Sequence, residues 1–177
     1  SNLPVRGDRV AIKAFGGQAV RMRGKDFLLP DGVNLDVPVS AAADFSDHLS
    51  VVLVENWEAF ERIHALSFEV PVDLQGAAVV YRGQPGGFTI GAARRFLSEL
   101  KKPVSVFPDI DPAGLRIALE TPGFAGLMLP DVKEVETMFR MGSGLSERYT
   151  SQLTGSGGIL ESAVPDDVMS FWTLIKQ

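Results

Sequence analysis

Asp109 and Asp111 stand two residues apart in SVFPDIDPAGLRIA (105–118), after an apolar run and before Pro-Ala-Gly. Side chains alternate along a strand, so a D-x-D pair leaving one sends both carboxylates the same way, within reach of one ion. Glu55 follows the apolar run SVVLV, and Asp131 follows GLMLP. Four carboxylates, each at the end of an apolar run, fit hard-cation chemistry. Mg²⁺ takes oxygen ligands and is usually held by one or two carboxylates plus waters and substrate phosphates. Plainer roles exist for two of these groups. Asp111 before Pro112 is a good helix start, with Asp as N-cap and Pro at the first helical position. Glu55 is also a polar strand end beside Asn56, which can cap a helix opening at Trp57. Asp109 has no comparable structural reason.

These carboxylates need a frame, and the chain supplies one from Leu49 onward. Short β-branched runs alternate with amphipathic stretches. Strands are expected at SVVLV (50–54), GAAVVY (76–81), PVSVF (103–107) and GLMLP (126–130), and helices at 57–66, 87–100 and 112–120. This alternation implies an α/β fold with a mainly parallel sheet and right-handed crossovers, helices lying on both faces. Sites in such sheets form beyond the carboxyl ends of the strands, where the four acids fall. Residues 1–47 have a different texture. RVAIKAFGGQAVRMRGKDFLLP (9–30) alternates around Gly16-Gly17 and reads as a β-hairpin with a third short strand near Phe27, followed by a connector over 31–47. The expected organisation is a small antiparallel β element over 1–47 and an α/β domain over 48–177. Loops at 142–144 and 155–158 and a final helix over 166–177 complete it.

The chain has 177 residues, no cysteine and a net charge of −5. That excludes a disulfide framework and a thiolate metal site, and it fits the cytoplasm. No apolar run reaches membrane-spanning length and no signal-peptide pattern is visible, so no membrane partner is expected. The chain opens Ser1-Asn2-Leu3 without an initiator Met, which reads as a tag scar on a piece of a longer protein with a further upstream region. Charge is uneven. Residues 1–25 carry Arg6, Arg9, Lys13, Arg21, Arg23 and Lys25 against Asp8 alone, and the acidic excess lies downstream. A basic edge ahead of an acidic body suits phosphate binding beside a metal site, and equally a solvated strand face. The turn R-G-Q-P-G-G (82–87) before a helix offers backbone amides to a phosphate, or is simply a strand-to-helix turn. It lacks the G-K-[ST] ending of a P-loop, which argues against nucleotide hydrolysis. Arg82, Arg94 and Arg95, with Arg21 and Arg23, are the candidate DNA-phosphate contacts; a solvated helix face explains Arg94 and Arg95 as well. His64 on an apolar helix face reads as a packed core histidine, and His48 is isolated.

VLVENWEAF, VVYRGQPGG and VFPDIDPAGLRIA together resemble the Toprim domain, the metal-binding α/β module of topoisomerases, bacterial primases and several nucleases. That family carries a Glu after its first strand and a D-x-D after a later one, matched here by Glu55 and by Asp109 with Asp111. The string over about residues 50–130 is most similar to the carboxyl-terminal domain of the Wadjet-system nuclease subunit and to the catalytic subunit of type VI topoisomerases. Pro108 stands where that branch usually has Gly, and Glu161 in GILES faintly resembles a late acidic motif. The resemblance implies Mg²⁺ or Mn²⁺ on Asp109 and Asp111, helped by Glu55, with Glu55 as general acid or base. It implies DNA phosphodiester cleavage within a larger DNA-processing or defence protein with partner subunits. A topoisomerase also needs a tyrosine. Tyr81 ends a buried-looking strand and Tyr149 lies in a loop, so water is the favoured nucleophile. The alternative is a module of the same type that binds nucleic acid or a partner without cleaving. A receiver domain would place its acidic pair after the first strand, and a glycosyltransferase D-x-D leaves Glu55 unexplained.

Overall fold

The computed structural model describes residues 6–66, 69–109 and 111–129. These residues form eight strands and three α-helices, alternating from β5 onward: β1 (Arg9–Lys13), β2 (Val20–Met22), β3 (Lys25–Phe27), β4 (Leu35–Pro38), β5 (Val51–Val54), α1 (Trp57–Glu61), β6 (Ala78–Tyr81), α2 (Ile90–Leu100), β7 (Val104–Phe107), α3 (Pro112–Leu119) and β8 (Phe124–Leu127). Short 3-10 segments fill Val39–Phe45, Ile63–Ala65 and Val72–Leu74. Six strands form one sheet in the order β4-β1-β6-β5-β7-β8, and β2 and β3 form a separate two-stranded sheet. The pairings β6–β5, β5–β7 and β7–β8 are parallel, while β1 is antiparallel to β6 and to β4. The expected α/β architecture with a mainly parallel sheet is therefore present.

The core lies on both faces of that sheet. Val51, Leu53, Val80 and Val106 point to one face, where α2, α3 and the Val39–Phe45 segment cover them through Phe96, Leu97, Ala118 and Phe45. Val52, Val54, Val79 and Tyr81 point to the other, beneath Phe60, Ile63 and Leu74. Period two along the strands divides the apolar residues between the faces. Buried on both faces, β5 and β6 read as unbroken apolar runs.

The amino-terminal region departs from expectation. β1 does not pair with β2 across Gly16-Gly17. It joins the main sheet between β4 and β6, and the tight hairpin is β2–β3, turning at Arg23-Gly24 with Val20 opposite Phe27. The physical reason is burial. Val10, Ala11 and Ile12 are all apolar and all enclosed, a strand covered on both faces rather than one arm of a two-stranded ribbon. The 31–47 connector contains β4, so two strands from the first 47 residues belong to the six-stranded sheet. The helix expected over 57–66 stops as an α-helix at Glu61. The Lys13 ammonium takes the carbonyls of Phe60 (3.0 Å) and Glu61 (3.2 Å), which a continuing helix would use, and Ala65 N–H turns to Arg62 O instead.

Candidate metal centre at the carboxyl rim of the sheet

Glu55 stands where it does because β5 is central. Val54 is in register with Tyr81 of β6 on one side and Phe107 of β7 on the other. The residues that leave these strands therefore meet at one rim. Glu55 N–H donates to Phe107 O (3.2 Å), and Arg82 N–H donates to Val54 O (2.9 Å). The Glu55 side chain, 11% exposed, bridges its neighbours. Its Oε2 accepts from Asp109 N–H at 3.0 Å, and its Oε1 lies 3.8 Å from Arg82 Nη1. Asn56 caps α1, its Oδ1 accepting from Glu58 N–H and Ala59 N–H, so the carboxylate of Glu55 is not needed there.

Asp111 caps α3, its Oδ1 accepting from Gly114 N–H at 2.7 Å with Pro112 at the first helical position. Asp111 N–H also donates to Asp109 O at 2.9 Å. The strand ends at Phe107, so period-two alternation does not carry the D-x-D pair. A backbone hydrogen bond and the helix cap hold it instead. One residue of this locus was missed in the sequence: Gly114. A Cβ there would lie 2.2 Å from Asp109 O and 3.1 Å from Glu55 Oε2. Only a residue without Cβ lets the first turn of α3 come this close to the Asp109 backbone. The signal was present as the Gly of D-I-D-P-A-G, in the first turn of a helix where Ala is the better helix former.

The rim sets a buried carboxylate among both acidic and basic neighbours. Burial raises the Glu55 pKa to about 7; the Asp109 N–H opposes this, the Asp109 charge adds to it, Arg82 opposes it and Asp111 adds to it. Among the described residues no three acidic or histidine side chains are grouped closely enough to hold an ion between them as they stand. Mg²⁺ requires less than that, one or two carboxylates with water and phosphate completing its shell. The carboxylate oxygens of Glu55, Asp109 and Asp111 are donors of the kind such an ion takes.

The candidate phosphate contacts scatter. Arg82 is at the rim. Arg94 donates to Glu120 O (2.9 Å), and Arg95 is paired with Asp8 (2.9 Å). Arg21 lies 3.9 Å from Asp26 and Arg23 lies 2.9 Å from Asp44, both on the β2–β3 hairpin. That hairpin is tied to the residues preceding β5, through Arg21 N–H on His48 Nε2 and Gly24 N–H on Asp47 Oδ2. Arg21 and Arg23 thus lie at the amino end of β5, and Glu55 at its carboxyl end. In the 82–87 turn, Gly83 and Gly86 have positive φ and Gln84 N–H closes onto Phe88 O, so the turn folds against its own helix start. Tyr81 is buried among Trp57, Phe60 and Phe88, its hydroxyl on Gln84, which is a packing role. His48 is fully buried. His64 is partly exposed, with its Nδ1 enclosed and unpartnered. Asp131, Glu161, Tyr149 and the expected final helix lie outside the described residues. No helix among the described residues is long and apolar enough to cross a membrane.

Comparison with curated proteins and with solved structures returns no match. A family model described as "Domain of unknown function (DUF7281)" matches residues 7–177. The match runs from before β1 through the rim carboxylates to the last residue, and the chain belongs to that family.

Proposed function

We propose that this chain is a Toprim-like, Mg²⁺- or Mn²⁺-dependent DNA nuclease domain of a larger DNA-processing or defence protein. One observation carries the reading: the Glu55 carboxylate, from one strand, sits on the backbone of the Asp109–Asp111 segment from the next. The divalent ion, when bound by Asp109 and Asp111 with Glu55, supplies charge stabilisation to the phosphodiester and its leaving oxygen. Glu55, whose pKa burial raises to about 7 in the metal-free chain, is the candidate acceptor of a proton from an attacking water. Asp111 keeps α3 and the Asp109 backbone in place through its cap. Arg82 supplies positive charge on the other side of Glu55. A second reading has its own support. Both oxygens of Glu55 face partners within the protein, which suits a module that binds nucleic acid or a partner without cleaving it.

Cleavage and metal binding decide between them. The full-length protein with its partners is expected to cut DNA with Mg²⁺ or Mn²⁺, and Asp109→Ala to abolish cutting while the fold survives. Asp111→Asn keeps the cap, since Asn caps about as well as Asp, so any heavy loss of cleavage in this variant reports a ligand. Unaltered Mn²⁺ affinity and cleavage in Asp109→Asn combined with Asp111→Asn would remove the metal centre. Mn²⁺ or DNA binding without any cleavage would favour the second reading.

A further inference from the structure

Arg82 has an unusual place. It follows β6 directly, and its backbone is fixed on both sides, by its own N–H on Val54 O and by Gly83, whose φ of 94° and close approach to Thr89 leave no room for a Cβ. Its guanidinium is 23% exposed and lies 3.8 Å from Glu55 Oε1. That distance is an ion pair without a hydrogen bond, since N–H···O bonds close at roughly 2.7–3.2 Å. A guanidinium carries five donors in a planar fork that matches a phosphate bidentately. At this distance Glu55 uses none of that fork.

We propose that Arg82 is a positioning residue that exchanges partners. In the free protein it neutralises Glu55, and when a DNA phosphate reaches the rim it turns its fork to the phosphate and releases Glu55 for its own role. The proposal rests on the reading of the rim as a DNA-acting site, and it adds an order of events: phosphate binding and liberation of Glu55 are one step. Glu55 and DNA then compete for the same guanidinium.

Competition of this kind is measurable without metal and without cleavage. DNA binding is followed against salt for the full chain in alkaline buffer containing EDTA, using a short duplex as probe. Glu55→Gln removes the competitor for Arg82, so affinity is expected to rise while the salt slope stays as in wild type, because the Arg82–phosphate contact forms in both complexes. In the Arg82→Ala background the same Glu55→Gln change is expected to alter neither affinity nor slope, which makes the double-mutant cycle strongly non-additive. Arg82→Gln carries the same cycle if Arg82→Ala does not fold, and Arg82→Lys is expected to keep the slope but lose affinity with the fork. If Glu55 merely repels DNA, Glu55→Gln raises affinity equally in both backgrounds, and that additivity would overturn the exchange while leaving the nuclease reading intact. Absence of any duplex binding by wild type and Glu55→Gln alike would overturn both.

Discussion

Glu55 is nearly enclosed at the end of a buried strand, and its ionisation is opposed first by that burial. Its folded pKa of about 7 lies above its ordinary value of 4.5, so the folded chain retains a proton that the unfolded chain gives up. Stability from the protonated form is complete below pH 4.5 and is lost as pH rises through 7. At about 1.4 kcal/mol per pKa unit the loss is on the order of 3 kcal/mol. Glu55→Gln should remove this dependence and melt higher than wild type above pH 7 without metal, and saturating Mg²⁺ should close the gap by stabilising wild type alone. Thermal melts across pH, with and without Mg²⁺, check both halves. Gly114 tests the same locus through shape. At an ordinary helix position Gly→Ala stabilises by up to about 1 kcal/mol. At Gly114 the new Cβ meets the Asp109 carbonyl, so Gly114→Ala should destabilise by about 1–3 kcal/mol and weaken Mn²⁺ binding. Gly91→Ala on α2, where the Cβ meets only the end of Arg95, is the control and should be neutral or stabilising.

At the scale of elements, the β2–β3 hairpin is fastened by a buried histidine. His48 Nε2 accepts from Arg21 N–H and its Nδ1 faces Gly76 O, so the neutral ring with hydrogen on Nδ1 satisfies both contacts at 2.9 Å. Burial lowers its pKa below 6.5, helped by Arg21 and resisted by Gly76 O, Asp47 and Asp26. The neutral ring's contribution is therefore complete above pH 6.5 and is lost as pH falls toward the folded pKa, opposite in sign to Glu55. Acidification below 6.5 should lower the protection of the Arg21 amide, its exchange rate relative to that of an open chain at the same pH, well before global unfolding, and hydrogen exchange read residue by residue would show it. His48→Phe should cost about 1–3 kcal/mol near neutral pH by leaving Arg21 N–H unsatisfied, and it should flatten the acid response.

At the scale of the whole molecule, the amino-terminal arginines among the described residues are paired although Arg6, Arg21 and Arg23 stay more than half exposed. The basic amino-terminal residues meet their own acids: Arg6 and Arg9 on Asp36, Arg21 on Asp26, Arg23 on Asp44, while Lys13 is buried over Phe60. The hairpin also occupies the end of the sheet opposite the carboxylates. Charge reversal at Arg21 and Arg23 is accordingly expected to leave the salt slope of DNA binding unchanged, whereas Arg82→Ala in a Glu55→Gln background should flatten it by about one contact. A flattened slope in the Arg21 and Arg23 variant would mean that DNA contacts both ends of the sheet.

The alternation of β-branched runs with amphipathic stretches determined the parallel α/β frame, because period two and period 3.6 are local properties that burial enforces strand by strand and helix by helix. The caps were legible for the same reason: Asn56 and Asp111 act on N–H groups two or three residues away. That Glu55 and the Asp109 backbone meet at one end of the sheet was legible because β5 and β7 run parallel. Partners distant in sequence were not legible. Nothing local distinguishes a β1 that turns back on β2 from one that inserts between β4 and β6; that choice was made by burial on both faces of Val10–Ile12. Nor does the sequence show that Lys13 ends α1, that His48 holds the hairpin, or that Gly114 admits the Asp109 backbone. Each depends on atoms brought together only by packing, and tertiary structure alone decided which guanidinium lies beside Glu55.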